Sequence, residues 1–258
     1  MRMKPRVLIL HANGTNRDLD AEKAVEMAGG RADIRHINEL RLSGASWADY
    51  GMLVIPGGFS YADALGAGKL MAIALTSYFS DQIGAFVAAG KPVIGICNGF
   101  QTLVKSGILP GRADVHATLT FNQAGHFECR WVNLLPVSQT CLWTRGLEAV
   151  IECPVAHGEG NFVCSEPAGL DLLRASSQVA LVYAGPGGQA AGGAYPQNPN
   201  GSIGDIAGVC NPQGNVLGLM PHPEDFIFLH QHPRWTRGVK GGLGLPLFEN
   251  GMRYAQGM

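Results

Sequence analysis

The ten residues Pro92-Val93-Ile94-Gly95-Ile96-Cys97-Asn98-Gly99-Phe100-Gln101 set the architecture of this chain. An apolar run leads into a cysteine, and residues 100–106 behind it have a pattern typical of a helix. Gly95 and Gly99 flank the cysteine at two positions on either side, as a sharp strand-to-helix turn requires, because strand and helix approach closely there. The start of the helix presents free N–H groups that favour a thiolate. Cys97 is therefore a candidate nucleophile on a nucleophile elbow.

The composition restricts the class of protein. The 258 residues are 46% hydrophobic and 15% charged, which suits a large buried core and argues against disorder. The 19 Lys and Arg against 20 Asp and Glu give a net charge of -1, which gives no indication of a nucleic-acid-binding surface. We expect no membrane span, because no apolar run reaches about 18 residues. The apolar stretch at residues 7–10 is too short for a signal peptide and is predicted to be a first strand.

The six cysteines are far apart and form no Cys-x-x-Cys pair. This spacing favours a reduced, cytoplasmic chain and predicts no metal site. Cys129, Cys153 and Cys210 lie in strand-like alternation and are predicted to be small core residues. Cys141 and Cys164 receive no assignment.

Apolar runs that alternate with helical patterns predict an α/β fold, an open and mostly parallel sheet flanked by helices. In the first half, the predicted strands are residues 7–10, 34–37, 52–55 and 92–96, and the predicted helices are residues 18–27, 70–79, 83–89 and 100–106. From about Ala117 a smaller antiparallel β portion is predicted, with strands at 118–121, 127–132, 151–155, 179–183, 206–209 and 216–219 and helices at 168–175 and 247–256. We expect one domain, residues 1–258, with a C-terminal extension from about residue 225.

A cysteine nucleophile needs a base and a group that orients the base. The best candidates are His222 and Glu224 in the stretch Met220-Pro221-His222-Pro223-Glu224, which the flanking prolines keep extended. Residues two apart in an extended stretch share a side, so Glu224 can accept the second ring proton of His222. A lone histidine is more often a core or surface residue. Its context, together with the elbow, favours a base here.

The attack on a carbonyl also needs donors for the developing oxyanion. The backbone N–H of Asn98, immediately after the nucleophile, is one candidate donor. A second donor is expected in Gly57-Gly58-Phe59, since ligands bind at the carboxyl ends of strands in open α/β sheets. Taken alone, the same two glycines also fit an ordinary turn.

With these residues identified, the chain resembles the class I, triad-type glutamine amidotransferases. The elbow and the His-Pro-Glu segment carry this resemblance, with Cys97, His222 and Glu224 at the triad positions. Further blocks resemble the glutaminases of purine biosynthesis, namely Gly-Gly-Phe-Ser-Tyr-Ala-Asp at 57–63, Asn-Gly-Phe-Gln at 98–101, Ala-His-Gly-Glu-Gly-Asn-Phe at 156–162 and Asn-Gly-Ser at 200–202. The resemblance covers residues 5 to 225.

The resemblance implies that the chain hydrolyses glutamine to glutamate and ammonia through a thioester on Cys97. It also implies that backbone at Gly58 and Asn98 forms the oxyanion hole and that the side chain of Gln101 contacts glutamine. The backbone that receives the α-amino and α-carboxylate groups of glutamine corresponds to His157, Gly158, Glu159 and Gly160.

A separate partner is implied as well. The chain has neither a P-loop nor a dinucleotide motif, so no cofactor is expected on it. ATP and Mg are expected on a large synthetase subunit that converts formylglycinamide ribonucleotide to formylglycinamidine ribonucleotide, and some members of the family add a small accessory subunit. The chain departs from the family at Ala62, Gly66 and Asp225, where glycine, arginine and arginine are usual.

Three other hypotheses stay open. The chain fits a class I glutaminase that serves another acceptor synthetase. It also fits a non-amidotransferase α/β cysteine protein, such as a protease, a chaperone or a redox sensor. In those proteins the histidine generally follows the elbow directly, where this chain has Asn98. The third hypothesis is a catalytically silent binding module, which the intact triad argues against.

Overall fold

The computed structural model describes residues 4–239 and 242–257. Eleven β-strands lie in this part of the chain: β1 (Arg6–His11), β2 (Arg31–His36), β3 (Met52–Ile55), β4 (Val93–Ile96), β5 (Ala117–Thr120), β6 (Glu128–Pro136), β7 (Ile151–His157), β8 (Asn161–Cys164), β9 (Val179–Ala184), β10 (Ile206–Cys210) and β11 (Val216–Leu219). The same residues form seven α-helices: α1 (Asp18–Met27), α2 (Ile37–Ser43), α3 (Lys69–Tyr78), α4 (Ser80–Ala88), α5 (Asn98–Lys105), α6 (Ala168–Ala175) and α7 (Leu245–Gly257).

Nine of the strands form one sheet, in the order β2-β1-β3-β4-β11-β10-β9-β6-β7. Neighbouring strands from β2 to β11 pair in parallel, and those from β11 to β7 pair antiparallel. β5 and β8 form a separate antiparallel pair. The prediction of a mostly parallel sheet with a smaller antiparallel portion in the second half is confirmed.

The parallel centre of the sheet brings three segments of the chain together at one edge. β3, β4 and β11 are buried along their whole length, as expected for parallel strands that are covered on both faces. β4 lies between β3 and β11 and runs parallel to both, so the chain leaves all three strands at the same edge of the sheet. The segments that follow Ile55, Ile96 and Leu219 therefore meet there.

One predicted strand needs correction, and one observed strand was not predicted. The strand predicted at residues 34–37 begins earlier, at Arg31, and ends at His36. Ile37 instead begins α2, because the ring of His36 accepts a hydrogen bond from the N–H of Asn38 (3.1 Å) and caps that helix. β8 was not predicted, since four residues with one fully buried side chain leave little pattern.

The cysteine predictions hold in two of three cases. Cys153 and Cys210 are buried, as predicted. The prediction for Cys129 is wrong, because β6 turns Glu128 and Val132 inward and leaves the thiol between them exposed. The same two-residue alternation that suggested a core position therefore places this cysteine on the outer face of the sheet.

Residues after His222 pack onto the antiparallel side of the sheet. The ring of Trp131 in β6 meets Phe226 edge-on at 5.0 Å and His232 at 4.4 Å between centroids. The described residues leave out residues 1–3 and 258 of the expected domain and residues 240–241 of the expected extension.

In the described part of the chain, no single helix is long and apolar enough to cross a membrane. α3 and α4 pass that test only together, as a pair bent by 86°.

The C-terminal helix α7 depends on a glycine. A Cβ on Gly251 would lie 2.3 Å from Cζ3 of Trp143, whose indole N–H is held by the carbonyl of Asn215 at 3.0 Å. We expect Gly251→Ala to lower the free energy of unfolding by about 1–3 kcal/mol, as overpacking of a core does. Chemical denaturation measures this change.

Gly84→Ala in α4 is the matched control, because its Cβ would meet nothing within 4 Å. There the alanine is expected to raise the free energy of unfolding by about 0.5–1 kcal/mol, the usual gain in a helix interior. Equal effects of the two substitutions would show that α7 is not packed tightly against Trp143.

Candidate active site

Cys97 lies on a strained turn between β4 and α5. Its φ of 51° and ψ of -104° are rare for a residue with a side chain, and such strain persists only where the surroundings hold it. A Cβ on Gly99 would lie 1.9 Å from the carbonyl oxygen of Ile55, and one on Gly95 would lie 2.5 Å from Cδ1 of Leu103. Glycine is therefore required on both sides of the cysteine. The predicted nucleophile elbow is present.

His222 and Glu224 lie beside this turn and are both buried. Nδ1 of His222 donates to Oε1 of Glu224 at 2.7 Å, and Cys97 is close enough to this ring to contribute to its raised pKa. Gly57 gives the ring its space, since a Cβ there would lie 2.6 Å from Cε1 of His222. The structure thus brings together Cys97, His222 and Glu224 as the sequence predicts.

The charges around His222 favour its imidazolium form. Burial opposes a charge on the ring, but the Glu224 carboxylate and the Cys97 sulfur outweigh it and raise the pKa of His222 well above its ordinary value. A proton taken from the thiol therefore has a stable place on this ring.

Asp225 adds a second carboxylate, to which the sequence analysis assigned no role. Its Oδ2 lies 4.0 Å from Nδ1 of His222 and 3.7 Å from Nε of Arg17. Burial and the charge of Glu224 raise the pKa of Asp225 to about 6. The ligand atoms of His222, Glu224 and Asp225 lie within 4.8 Å of one another, a spacing that a metal ion would also accept. The hydrogen bond between His222 and Glu224 already occupies Nδ1, however.

The two expected oxyanion donors lie on either side of the elbow. Asn98 begins α5, where the helix leaves backbone N–H groups free. Gly58 has a φ of 122°, and a Cβ there would lie 2.6 Å from the backbone nitrogen of Asn16. The side chain of Asn98 ties the two segments together, since it donates to Asp63 at 2.8 Å and accepts from the hydroxyl of Ser60.

A cavity of about 160 Å³ opens in front of the thiol. The predicted site residues that line it are Gly58, Cys97, Gln101, His157, Gly158 and Glu159. Gly160 is not among the lining residues, and its N–H donates to Oδ1 of Asn122 at 2.9 Å. Nε2 of Gln101 donates to the carbonyl of Glu159 at 2.5 Å, so this side chain also braces the 157–160 loop.

The surroundings of Ala62 and Gly66 bear on the two positions near residue 65 at which this chain departs from the family. Ala62 has a φ of 55°, a left-handed conformation that favours glycine. The ammonium of Lys105 lies 3.7 Å from where a Cβ on Gly66 would be and 3.4 Å from Oε2 of Glu159. Lys105 also donates to the carbonyl of Ala67 at 2.5 Å. A lysine of α5 therefore supplies positive charge beside the position where this chain has no arginine.

Asn122 is a further buried residue of the site that the sequence analysis missed. It accepts from Nδ1 of His157 at 3.0 Å and donates to the carbonyl of the same residue at 2.8 Å. In the sequence it lies in Asn122-Gln123-Ala124-Gly125, which has the composition of a surface turn. No local signal distinguishes it from other loop asparagines.

Known proteins are similar to this chain over nearly its whole length. A family model described as a CobB/CobQ-like glutamine amidotransferase domain matches residues 4–255. The phosphoribosylformylglycinamidine synthase subunit PurQ of Treponema denticola is 52% identical over 268 residues, which cover 98% of this chain and 99% of that protein. The subunit of the same name from Dehalococcoides mccartyi is 41% identical, and the alignment covers 98% of each chain.

A solved structure is similar over the same length. A chain in the structure of PurLQS from Thermotoga maritima superposes with a TM-score of 0.75 at 31% identity, covering 98% of this chain and 99% of that one. In sequence and in fold, this chain is therefore similar to these proteins over nearly its whole length. The chain belongs to the CobB/CobQ-like glutamine amidotransferase family.

Proposed function

We propose that this chain hydrolyses glutamine to glutamate and ammonia and delivers the ammonia to an ATP-dependent synthetase of de novo purine biosynthesis. The acceptor is formylglycinamide ribonucleotide, which becomes formylglycinamidine ribonucleotide. The observation that carries the proposal is the buried arrangement of Cys97, His222 and Glu224 at the strained elbow. The name shared by the relatives, phosphoribosylformylglycinamidine synthase subunit, supports the choice of acceptor.

The reaction proceeds by acyl transfer to sulfur. Nε2 of His222 takes the proton of Cys97, and the thiolate attacks the side-chain amide carbon of glutamine. Glu224 keeps Nδ1 protonated and thereby leaves Nε2 free for the thiol. His222 returns the proton to the departing ammonia, and a water molecule that the same ring activates hydrolyses the thioester to glutamate.

Backbone donors stabilise the tetrahedral intermediates of both steps. The N–H groups of Gly58 and Asn98 are the donors in this proposal, and each contributes on the order of 3 kcal/mol when it is aimed at the oxyanion. The side chain of Gln101 contacts glutamine, and the backbone of the loop from His157 to Gly160 receives its α-amino and α-carboxylate groups. The cavity lined by Cys97, Gln101 and His157 supports this placement.

The reaction takes place on a single domain in the cytoplasm in this proposal. The match of the family model to residues 4–255 supports one domain that includes most of the extension from about residue 225. All six cysteines are free, which supports a reducing compartment.

The partner covers the mouth of the cavity in this proposal, because ammonia released into bulk water would be protonated. Three aromatic side chains at this mouth are partly exposed, namely Phe59 (44%), Phe121 (71%) and Phe127 (49%). Exposed apolar groups that cluster in this way are typical of interaction surfaces. We therefore assign this aromatic rim to the contact with the synthetase.

Removing the nucleophile tests the mechanism. Cys97→Ala is expected to abolish glutamate release from glutamine, because no other group can form the thioester. The assay measures glutamate formed by the full chain together with the synthetase that co-purifies with it. Cys129→Ala, which removes an exposed thiol outside the site, is expected to keep the wild-type rate. Glutamine-dependent turnover by Cys97→Ala would refute the mechanism.

Asp225 should be visible in the pH dependence of the reaction. Because its pKa is raised to about 6, this carboxylate gains its charge as the pH rises through 6 and then stabilises the imidazolium of His222. We expect kcat/KM for glutamine to rise through an inflection near pH 6 in the wild type. In Asp225→Asn the inflection should vanish, with a loss at pH 7 on the order of tenfold, the equivalent of one pKa unit. An inflection that persists in Asp225→Asn would assign the ionisation to another group.

The aromatic rim can be tested by binding. Phe121→Glu places a charge in the contact and is expected to weaken the Kd for the synthetase at least about tenfold, or about 1.4 kcal/mol. Leu42→Glu is the matched control, since Leu42 is 85% exposed on α2 and does not line the cavity. Calorimetric titration gives both values. Equal affinity of the two variants for the synthetase would show that the aromatic rim is not part of the interface. Co-purification of a different synthetase would contradict the proposed acceptor.

A further inference from the structure

One ring nitrogen near the thiol has no hydrogen-bond partner. Nε2 of His157 is buried, and none of the residues 4–239 and 242–257 donates to it or accepts from it. A buried polar atom without a partner destabilises the folded chain, so such atoms often mark a binding or catalytic role. His157 lines the cavity in front of Cys97, which makes a bound substrate the natural partner.

The side-chain amide of Asn122 has a fixed orientation. The N–H of Gly160 points at one of its two terminal atoms at 2.9 Å, and a backbone N–H can only donate. The other terminal atom faces the carbonyls of His157 and His126 at 2.8 and 3.0 Å, which can only accept. The first atom is therefore oxygen and the second nitrogen.

This orientation determines the tautomer of His157. Nδ1 lies 3.0 Å from Oδ1 of Asn122, and an amide oxygen can only accept. Nδ1 must therefore carry the proton, which leaves a lone pair on Nε2 of the neutral ring.

The ring of His157 is uncharged at neutral pH. Burial, together with repulsion from the nearby charge of His222, lowers the pKa of His157 to about 3. Nδ1 of His157 faces the neutral amide oxygen of Asn122, in contrast to His222, where the Glu224 carboxylate accepts from Nδ1. Nε2 of His157 is consequently a hydrogen-bond acceptor and not a donor at neutral pH.

His157 lines the same cavity as the thiol of Cys97 and directly follows a residue whose backbone faces it. The carbonyl of Ala156, one residue earlier, accepts from the thiol of Cys97 at 3.8 Å. The charge of His222 also contributes to the lowered pKa of His157. The substrate donor that comes near the thiol is the side-chain carboxamide, since the α-ammonium lies at the opposite end of a glutamine that Cys97 attacks.

We propose that Nε2 of His157 accepts a hydrogen bond from the carboxamide NH₂ of bound glutamine and is a specificity-determining residue of the site. This inference rests on the proposed glutaminase reaction. A γ-carboxylate or a γ-ester has no N–H to offer and would bring its own lone pairs against that of Nε2. A site built to bond a substrate N–H discriminates strongly against analogues that lack it. His157 therefore selects glutamine over glutamate and over γ-esters.

The test compares two substrates with the same acyl group, glutamine and the γ-methyl ester of glutamate. Attack by Cys97 forms the same thioester from both, with ammonia leaving from the first and methanol from the second, each with the proton from His222. The full chain is assayed with its synthetase, and the readout is the ratio of kcat/KM for glutamine to kcat/KM for the ester. A loss of protein stability or of the nucleophile lowers both terms and leaves this ratio unchanged.

His157→Asn places an amide nitrogen where Nδ1 donates to Asn122 and leaves no atom where Nε2 was. The ratio is expected to fall at least about tenfold, since the ester has no hydrogen bond to lose. His157→Gln puts an amide oxygen near the place of Nε2 and should keep the ratio within about threefold of the wild type. His126→Asn is the matched control, because His126 is exposed and its carbonyl also accepts from Asn122, and it should leave the ratio unchanged.

Other results would contradict either the role of His157 or the proposed function. If His157→Asn lowers kcat/KM for both substrates by the same factor, the ring only holds the loop and the inference is wrong. If that variant does not fold, a tenfold fall of the ratio in His157→Gln overturns the inference equally. A wild-type complex that hydrolyses the ester but not glutamine contradicts the inference and leaves the nucleophile intact. Hydrolysis of neither substrate refutes the proposed function itself.

Discussion

The close approach of α5 to the tip of β3 is the constraint on which the site depends. No side chain fits at Gly99, where a Cβ would lie 1.9 Å from the carbonyl oxygen of Ile55. This approach forces the chain to turn within one residue, and Cys97 takes up the turn with a positive φ at a cost of about 1–3 kcal/mol. Backbone hydrogen bonds on both sides hold it, from the N–H of Cys97 to Leu219 at 2.8 Å and from Gln101 to the carbonyl of Cys97 at 3.0 Å.

The parallel neighbours of β4 then bring the other parts of the site to the same place. β3 lies on one side and ends before Gly57 and Gly58, and β11 lies on the other side and leads to His222. Three segments far apart in the chain therefore meet at one edge of the sheet because of strand order alone. An insertion in the loops between these strands would leave that meeting point intact, whereas a change in strand order would separate the thiol from its base.

Local patterns in the sequence predict most of the elements but not the contacts between them. α1 and α6 have the predicted bounds, and the fully buried strands β3 and β11 are also predicted correctly, because each carries its signal within a few residues. The triad pairing was predictable because Glu224 follows His222 by two residues on an extended stretch. Where a pattern allows two outcomes the prediction fails, as for Cys129, since alternation alone does not say which face of a strand is inside.

The remaining parts of the site arise from contacts that no short stretch encodes. Asn122 meets His157 across 35 positions, and Lys105 meets Glu159 across 54. Asp225 follows the triad directly, but its pKa depends on burial and on the charge of Glu224 in the folded chain. These residues become part of the site only when β5, β7 and α5 are assembled around the cavity.

The two buried histidines show how one side chain is adapted to opposite tasks. His222 donates from Nδ1 to a carboxylate, which raises its pKa and suits it to hold a proton. His157 donates from Nδ1 to a neutral amide, and burial next to His222 lowers its pKa to about 3. A carboxylate in place of Asn122 would favour a charge on His157 as well, and the two imidazolium ions would repel each other. A neutral partner at residue 122 therefore keeps the single mobile proton of the site on His222.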